Sequence, residues 1–128
     1  MTLDSSALIA ILFSEPGHLD LIDRILIAES VRVAAPTLVE ATMVLAGRRR
    51  KPAVGEVDAL VGELGVTVVA FGEREWHAAV DAFLRFGRGR HAAALNFGDC
   101  LAYAAAVVAN DSLLFVGDDF GLTDVTPA

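Results

Sequence analysis

Short apolar segments alternate along the chain with longer stretches in which apolar residues recur at helical spacing. Segments 2–4, 31–35, 66–70 and 113–116 predict strands, and segment 124–126 predicts a last edge strand. The longer stretches between them predict helices. Strands that are apolar on both faces are typical of a parallel sheet covered on each side. The pattern therefore predicts an α/β three-layer sandwich with a short, mainly parallel central sheet.

The pattern also predicts which aromatic and sulfur-containing residues lie in the core. In the helix after the third strand, an apolar stripe runs from Trp76 to Phe83, so Trp76 is expected in the core. Cys100 is the sole cysteine and lies in an Ala-rich stretch, where it is expected to be a small core residue rather than a nucleophile. A lone cysteine excludes an intrachain disulfide and suits a reducing cytosol.

Length and composition favour one compact domain over residues 1–128. With 128 residues and 55% hydrophobic positions, the chain can bury a core. No apolar run reaches the roughly 20 residues that span a bilayer. No basic segment precedes the first apolar residues, as a signal peptide requires. We therefore expect a cytoplasmic protein with no membrane contact.

The basic residues are concentrated in two places. The net charge of −7 argues against binding nucleic acid by bulk charge alone. Seven of the ten basic residues nevertheless form two groups, which are Arg48, Arg49, Arg50 and Lys51 in one and Arg85, Arg88 and Arg90 in the other. A solvated helix end explains each group alone. Their concentration leaves phosphate binding open.

Five acids fall at or near the carboxyl ends of predicted strands, where open parallel sheets bind their ligands. Asp4 ends the first strand, Glu40 lies early in the helix after the second, Asp99 begins a helix, and Asp118 and Asp119 follow the fourth. Capping or turn formation explains most of them singly. A carboxylate among the apolar neighbours of Glu40 is costly unless it is paired. Their coincidence at one edge favours a shared site.

A shared acidic site has a predictable chemistry. Carboxylates in one pocket repel one another, so either some stay protonated or a cation binds. Oxygen ligands without histidine or cysteine suit Mg²⁺ or Mn²⁺, and such an ion can activate water against a phosphodiester. His18, His77 and His91 show neither triad-like nor zinc-ligand spacing, so no protein nucleophile is evident.

Four groups of short motifs follow one another along the chain. They are Leu3-Asp4-Ser5-Ser6-Ala7-Leu8; Pro36-Thr37-Leu38-Val39-Glu40; Gly89-Arg90-His91 before Leu95-Asn96-Phe97-Gly98-Asp99-Cys100; and Leu114-Phe115-Val116-Gly117-Asp118-Asp119-Phe120 with Thr123-Asp124. In this order they resemble PIN-domain ribonucleases, and more narrowly the VapC toxins of bacterial toxin–antitoxin pairs. The resemblance implies a Mg²⁺- or Mn²⁺-dependent endoribonuclease that a VapB-type antitoxin holds inactive.

The resemblance also implies which acids form the site. Asp4, Glu40 and Asp99 match the first three acidic ligands of the family. The Gly-x-Asp-Phe variant of a VapC subgroup points to Asp119 as the fourth, with Asp118 as its rival. Metal binding and catalysis are therefore expected at these acids.

Secondary roles and partners follow from the same resemblance. Ser6 matches a hydroxyl position near the metal, and Asn96 lies near enough in sequence to assist. Arg88, Arg90 and the run 48–51 would contact phosphates flanking the cut in a structured RNA, such as a tRNA or a ribosomal loop. The antitoxin would insert an arginine or lysine into the acidic pocket. A homodimer or a toxin–antitoxin hetero-oligomer is expected, with the apolar helix at 8–13 as a candidate interface.

Other functions fit the sequence less well. Haloacid-dehalogenase-type phosphatases need a second aspartate two residues after the first, and that position is Ser6. Response-regulator receivers need a lysine near the end of the sheet, whereas Lys51 is the only lysine and lies mid-chain. The remaining alternative is a non-catalytic or degenerate PIN-like binding module that acts through a partner.

Overall fold

The computed structural model describes residues 1–49 and 54–128, and its elements follow the predicted order. They are β1 Thr2–Leu3, α1 Ser5–Leu12, α2 His18–Ile27, β2 Arg32–Ala34, α3 Ala35–Arg49, α4 Val54–Glu63, β3 Thr67–Val69, α5 Glu73–Phe86, α6 Phe97–Ala109 and β4 Leu113–Leu114, followed by a 3₁₀ turn at Phe120–Leu122. The first four predicted strands are confirmed, each shorter than predicted.

The strands of the described residues form one parallel sheet. Its order is β3-β2-β1-β4, and every neighbouring pair is parallel. Thr2 aligns with Arg32 of β2 on one side and with Leu113 of β4 on the other. The carboxyl ends of the strands therefore meet at one edge, and the residue after β1 lies between the segments that leave β2 and β4. That residue is Asp4.

Helices cover the sheet on both faces, and each face has its own core. Leu113 packs into a cluster with Ala82 of α5 and Tyr103 of α6, whereas the next residue, Leu114, packs with Leu8 of α1. Successive side chains of a strand point to opposite faces, so the two clusters lie on opposite sides of the sheet. The predicted α/β three-layer sandwich is confirmed.

Two predictions about strands are corrected. Val68 of β3, one of the two edge strands, is 49% exposed, so β3 is not covered on both faces. Segment 124–126 forms no strand, and a single bridge joins Pro127 to Leu113. The Leu113 N–H donates to the Thr126 carbonyl at 2.8 Å, so the segment contacts β4 without forming a strand, and the Asp124 side chain is bonded to side chains of α5 and α6.

Two predictions about apolar helices are also wrong. Trp76 is 56% exposed, because α5 turns Ala79, Ala82 and Phe86 inward. The two alanines are small and suit a close approach to the Ala-rich α6. The helix at 8–13 is not an open interface either, since its residues from Leu8 to Ile11 are buried.

The predicted burial of Cys100 is confirmed. No helix of the described residues is long and apolar enough to cross a membrane.

Candidate active site

Asp4 lies at the middle of the carboxyl edge of the sheet and also begins α1. Its Oδ2 accepts hydrogen bonds from the backbone N–H of Ser6 at 2.9 Å and from the Ser6 hydroxyl at 2.5 Å. Its Oδ1 is buried and has no hydrogen-bond partner among the residues that the structure describes. Burial raises the pKa of Asp4, and the bonds from Ser6 only partly offset this. A buried carboxylate oxygen without a partner is costly, and a bound cation would satisfy it.

Ser6 connects Asp4 to the segment that leaves β4. While its hydroxyl donates to Asp4, its Oγ accepts the backbone N–H of Val116 at 2.9 Å. The β1 and β4 ends are therefore joined at the site through one side chain. Ser6 therefore contacts Asp4, and its predicted place near a metal stays a prediction.

Asp99 occupies the third position of α6 and is fixed by the helix start. Asn96 caps the helix, and its side chain accepts the Asp99 N–H at 3.0 Å. In return, Asp99 Oδ2 accepts the Asn96 N–H at 2.7 Å, which completes a capping box. The sequence placed Asp99 at the helix start, and the structure gives the capping position to Asn96. Asn96 thus orients the Asp99 carboxylate.

Glu40 is on α3, about one turn and a half after β2, and is half-buried. Burial raises its pKa most, and the charges of Asp4 and Asp99 raise it further, while a hydrogen bond with the Ser5 side chain lowers it. Burial likewise raises the pKa of Asp99, as do the charges of Asp4 and Asp119. These couplings bring Asp4, Glu40 and Asp99 into one electrostatic cluster, which we call the acid cluster.

The fourth acid lies at the border of the acid cluster. Asp118 and Asp119 are both exposed, in the segment between β4 and the 3₁₀ turn. The charge of Asp119 raises the pKa of Asp99, which favours Asp119 over Asp118 as the companion acid. The acid cluster and Asp119 thus come from four separate segments of the chain.

The acid cluster fits a divalent cation in its chemistry, although it is not a finished coordination shell. Among residues 1–49 and 54–128, no three Asp, Glu, His or Cys side chains converge closely enough to hold an ion as they stand. The unpartnered Oδ1 of Asp4, the oxygen-only donor set and the mutual repulsion of the carboxylates all favour a hard cation. The carboxylates would have to move closer together to bind it.

The arginines differ in how they relate to the acids. The charge of Arg88 lowers the pKa of Asp99, so Arg88 lies near the acid cluster. The Arg90 guanidinium lies over the Phe83 ring, 5.2 Å from its centroid. Both residues are exposed and available to phosphates.

The other basic group is engaged in ion pairs within the protein. Arg48 contacts Glu15 at 3.0 Å, and Arg49 pairs with Glu56 and donates to the Leu12 carbonyl at 2.8 Å. These contacts join the end of α3 to α1 and α4. Residues 50 and 51 lie outside the described residues.

Sequence reasoning missed an apolar surface beside the acids. Phe97 is 81% exposed and separates two apolar grooves of about 570 and 410 Å³. The exposed members of this surface, which we call the Phe97 surface, are Val39, Met43, Trp76, Val80, Phe83 and Phe97. The sequence of α5 contains more apolar residues than one buried face of a helix can hold, and this signal could have revealed the surface.

A second missed feature is a polar cluster far from the acids. Tyr103 donates to Asp124 Oδ1 at 2.5 Å, and Arg85 contacts Asp124 Oδ2 at 2.5 Å. They line a groove of about 350 Å³ together with Ser112, which directly precedes β4. The cluster therefore lies toward the amino edge of the sheet, opposite the acid cluster.

Comparison with known proteins identifies the family. The PIN domain model matches residues 1–125. The chain belongs to the PIN domain family. This PIN-domain chain is 41% identical over 126 residues to Ribonuclease VapC36 of Mycobacterium tuberculosis, covering 98% of this chain and 91% of the relative. It is 39% identical to Ribonuclease VapC of Mycolicibacterium smegmatis, covering 98% and 97%. Its place within the family is therefore among the VapC proteins, as the motifs indicated.

Solved structures agree with the PIN fold. A toxin–antitoxin complex from Klebsiella pneumoniae matches with a TM-score of 0.71 at 15% identity, over 99% of this chain and 97% of the other. Mycobacterium tuberculosis VapC20, a toxin described as cleaving the sarcin–ricin loop, matches with a TM-score of 0.70 at 19% identity, over 98% of both chains. At these identities the likeness concerns the fold.

Proposed function

We propose that this chain is the toxin of a type II toxin–antitoxin pair and a metal-dependent endoribonuclease. The observation that carries the proposal is that Asp4, Glu40 and Asp99 lie at the carboxyl edge of the sheet, where, in addition to burial, the charges of Asp4 and Asp99 raise the pKa of Glu40 and the charge of Asp4 raises the pKa of Asp99. The VapC relatives that share the fold and nearly the full length are named ribonucleases. A catalytic site that binds a cation is expected to contain several carboxylates whose negative charges are not offset by basic side chains.

Each acid has a role that follows from its environment. Asp4 and Asp99 would hold Mg²⁺ or Mn²⁺, which when bound supplies an activated water and offsets the charge of the phosphodiester. Glu40, whose pKa is raised, would bind the same cation directly or through a water, and would orient the attacking water and accept its proton on a carboxylate oxygen. Asp119, exposed at the border, would complete the ligand set or hold a second water. Ser6 and Asn96 would keep Asp4 and Asp99 in place.

The substrate is proposed to be a structured RNA, such as a tRNA or ribosomal RNA. Arg88 and Arg90 would contact phosphates beside the cut, and such contacts position a strand without reading its sequence. Arg48 and Arg49 would assist less, because they already pair with Glu15 and Glu56. Shape would therefore dominate substrate choice.

Cleavage of RNA by purified protein tests the proposal. Wild-type protein should cut a folded RNA in Mg²⁺ or Mn²⁺ and stop when the cation is chelated, and Asp99→Asn should lower the rate by about 100-fold or more. Asp58→Asn, which changes an exposed acid of α4, is the matched control and should cleave like wild type. Cleavage that survives in Asp99→Asn would reject the acid cluster as the active site. Wild-type protein that binds RNA but does not cleave it in either cation would support the non-catalytic binding module.

The proposed inhibitory partner is a VapB-type antitoxin. One solved structure with this fold is a toxin–antitoxin complex. An arginine or lysine of the antitoxin would enter the acid cluster, where the unpartnered Oδ1 of Asp4 can accept from it. The double variant Asp4→Ala/Asp99→Ala should then weaken binding of the antitoxin encoded beside this chain. An unchanged Kd would place the inhibitory contact elsewhere.

A further inference from the structure

Gly98, in the first turn of α6, lies directly against the carboxyl group of Glu40. A Cβ built on Gly98 would come 2.5 Å from Glu40 Cδ and closer still to both carboxylate oxygens. Real Cβ atoms do not approach other heavy atoms so closely. The carboxyl group of Glu40 therefore occupies the space that any other residue at position 98 would fill.

The backbone does not explain why a glycine stands there. The glycines with positive φ are Gly17, Gly65, Gly89 and Gly117, and Gly98 is not among them. Within a helix, glycine is less favourable than alanine by about 0.5–1 kcal/mol. A Cβ at the helical glycines Gly47, Gly55 or Gly62 would meet no atom of residues 1–49 and 54–128 within 4 Å. Of these helical positions, Gly98 is the one where the missing side chain makes room for a functional group.

We propose that Gly98 is a positioning residue, whose missing side chain sets how closely Glu40 approaches Asp99. This inference rests on the proposed function, because it concerns the distance between two of the proposed cation-binding acids. Gly98 and Asp99 are neighbours in the first turn of α6, so the space beside Gly98 brings the Glu40 carboxylate to the Asp99 carboxylate. The positive end of the α6 dipole offsets part of the repulsion between them.

A methyl group at position 98 should move Glu40 without unfolding the chain. Glu40 is a long, flexible and half-buried side chain, so its carboxyl group can rotate away toward solvent. Alanine is also a better helix former than glycine. Gly98→Ala should therefore keep or raise the thermal midpoint of the cation-free protein while it weakens cation binding. A glycine that served packing alone would give the opposite result, a lower midpoint with unchanged binding.

The test uses four variants of the full chain: Gly98→Ala, Glu40→Ala, the double variant of both, and Gly62→Ala as the matched helical control. Two quantities are measured: the thermal midpoint without divalent cation, and the Mn²⁺ dissociation constant by calorimetry. Gly98→Ala should weaken Mn²⁺ binding by about tenfold or more. In the Glu40→Ala background the same change should have no further effect. Gly62→Ala should bind Mn²⁺ like wild type.

Different outcomes separate this inference from the proposed function. Wild-type protein that does not bind Mn²⁺ would reject the cation site itself, and the positioning role with it. If wild type binds but Gly98→Ala binds equally well, only the positioning role is rejected. An equal loss of binding with and without Glu40 also rejects it. If Gly98→Ala unfolds while the double variant folds, the contact serves packing and the inference is wrong.

Discussion

The Ser6 hydroxyl donates a 2.5 Å hydrogen bond to the Asp4 carboxylate, the acid at the centre of the cluster. The same Oγ accepts the N–H of Val116, so one small side chain serves both the acid and the segment that leaves β4. Ser6→Ala should lower the free energy of unfolding by about 1–2 kcal/mol, because it removes a bond to a charged group and leaves an N–H without its acceptor. Urea denaturation measures this.

Activity should also fall in Ser6→Ala, by about tenfold, because Asp4 loses the group that orients it. Ser6→Thr keeps the hydroxyl and is the matched control, for which most of the stability and cleavage rate should remain. If Ser6→Ala keeps the stability and the cleavage rate of wild type, the hydrogen bond from Ser6 to Asp4 contributes to neither.

The stability of the cation-free protein should rise when the solution is acidified from neutral pH. The pKa values of Asp4, Glu40 and Asp99 are raised by burial first, so the folded state binds more protons than the unfolded state above the unfolded values near about 4. The free energy of unfolding therefore falls as the pH rises from the unfolded pKa values of these acids through their higher pKa values in the folded protein. We expect a higher thermal midpoint at about pH 5 than at pH 7 in a chelator, and a smaller difference in Mg²⁺.

Asp4→Asn is the variant that tests this explanation. Without the buried charge, its cation-free midpoint should be higher than that of wild type at neutral pH, and Mg²⁺ should stabilise it less. The pKa of Asp124 is lowered, so that carboxylate loses its contribution only below its unfolded value and does not interfere in the range measured. A wild-type midpoint that falls steadily on acidification from neutral pH would contradict the assignment.

Arg88 should contribute to RNA affinity through charge. Its guanidinium lowers the pKa of Asp99, which places it where phosphates beside the cut would pass. Arg88→Gln should weaken binding to unrelated RNAs alike and reduce the slope of log affinity against log salt by about one. Arg48→Gln is the comparison, and because Arg48 pairs with Glu15 its effect should be smaller. Equal slopes for wild type and Arg88→Gln would exclude a phosphate contact.

The Phe97 surface should mediate association of two copies of the chain. Contiguous exposed apolar side chains mark contact surfaces, and this one extends over α3, α5 and the start of α6. Trp76→Glu should lower the molar mass measured by light scattering to that of a monomer. Ile27→Glu changes an apolar residue of α2 that is 83% exposed and should leave the mass unchanged. A wild-type monomer, or a Trp76→Glu dimer, would reject this interface.

The pKa of Tyr103 can be measured and reports on the polar cluster at the amino edge of the sheet, away from the acid cluster. Burial, together with the hydrogen bond and charge of Asp124, raises the pKa of Tyr103 to about 12. It is the only tyrosine, so phenolate absorbance reports it directly. Asp124→Asn should lower that pKa, and Tyr103→Phe should cost about 1 kcal/mol of stability with cleavage retained. Loss of cleavage in a well-folded Tyr103→Phe would connect this cluster to the acids.

The positions of the acids could be predicted because they depend on local sequence and one topological rule. Asp4 and Asp119 directly follow or closely follow apolar strands, and the carboxyl ends of parallel strands share an edge. Asp99 lies in a helix-capping motif, which can be recognised from the local sequence without knowledge of any tertiary contact. The fold and its acidic edge therefore follow from alternation, caps and strand polarity.

Other features depend on contacts between distant segments, and the sequence alone does not specify them. The contact of Gly98 with Glu40 joins α6 to α3, and no local pattern marks it. Trp76 was misplaced because the buried face of α5 is chosen by close packing of Ala79 and Ala82 on α6, not by the largest apolar residues. Segment 124–126 was wrongly predicted as a strand, because pairing with β4 is limited to one bridge at Pro127 and the side-chain bonds of Asp124 go to α5 and α6, which no local pattern indicates.

The pairing of β1 with β4 has a consequence for how the protein is made. Thr2 and Leu3 lie beside Leu113 and Leu114. The Ser6 Oγ accepts its hydrogen bond from the Val116 N–H, which follows β4. A nascent chain that has not yet released these later residues from the ribosome has no partner strand for β1 on that side. The site around Asp4 can therefore close only after the β4 segment has left the ribosome. The proposed nuclease stays incomplete for as long as that segment is inside the ribosome that makes it.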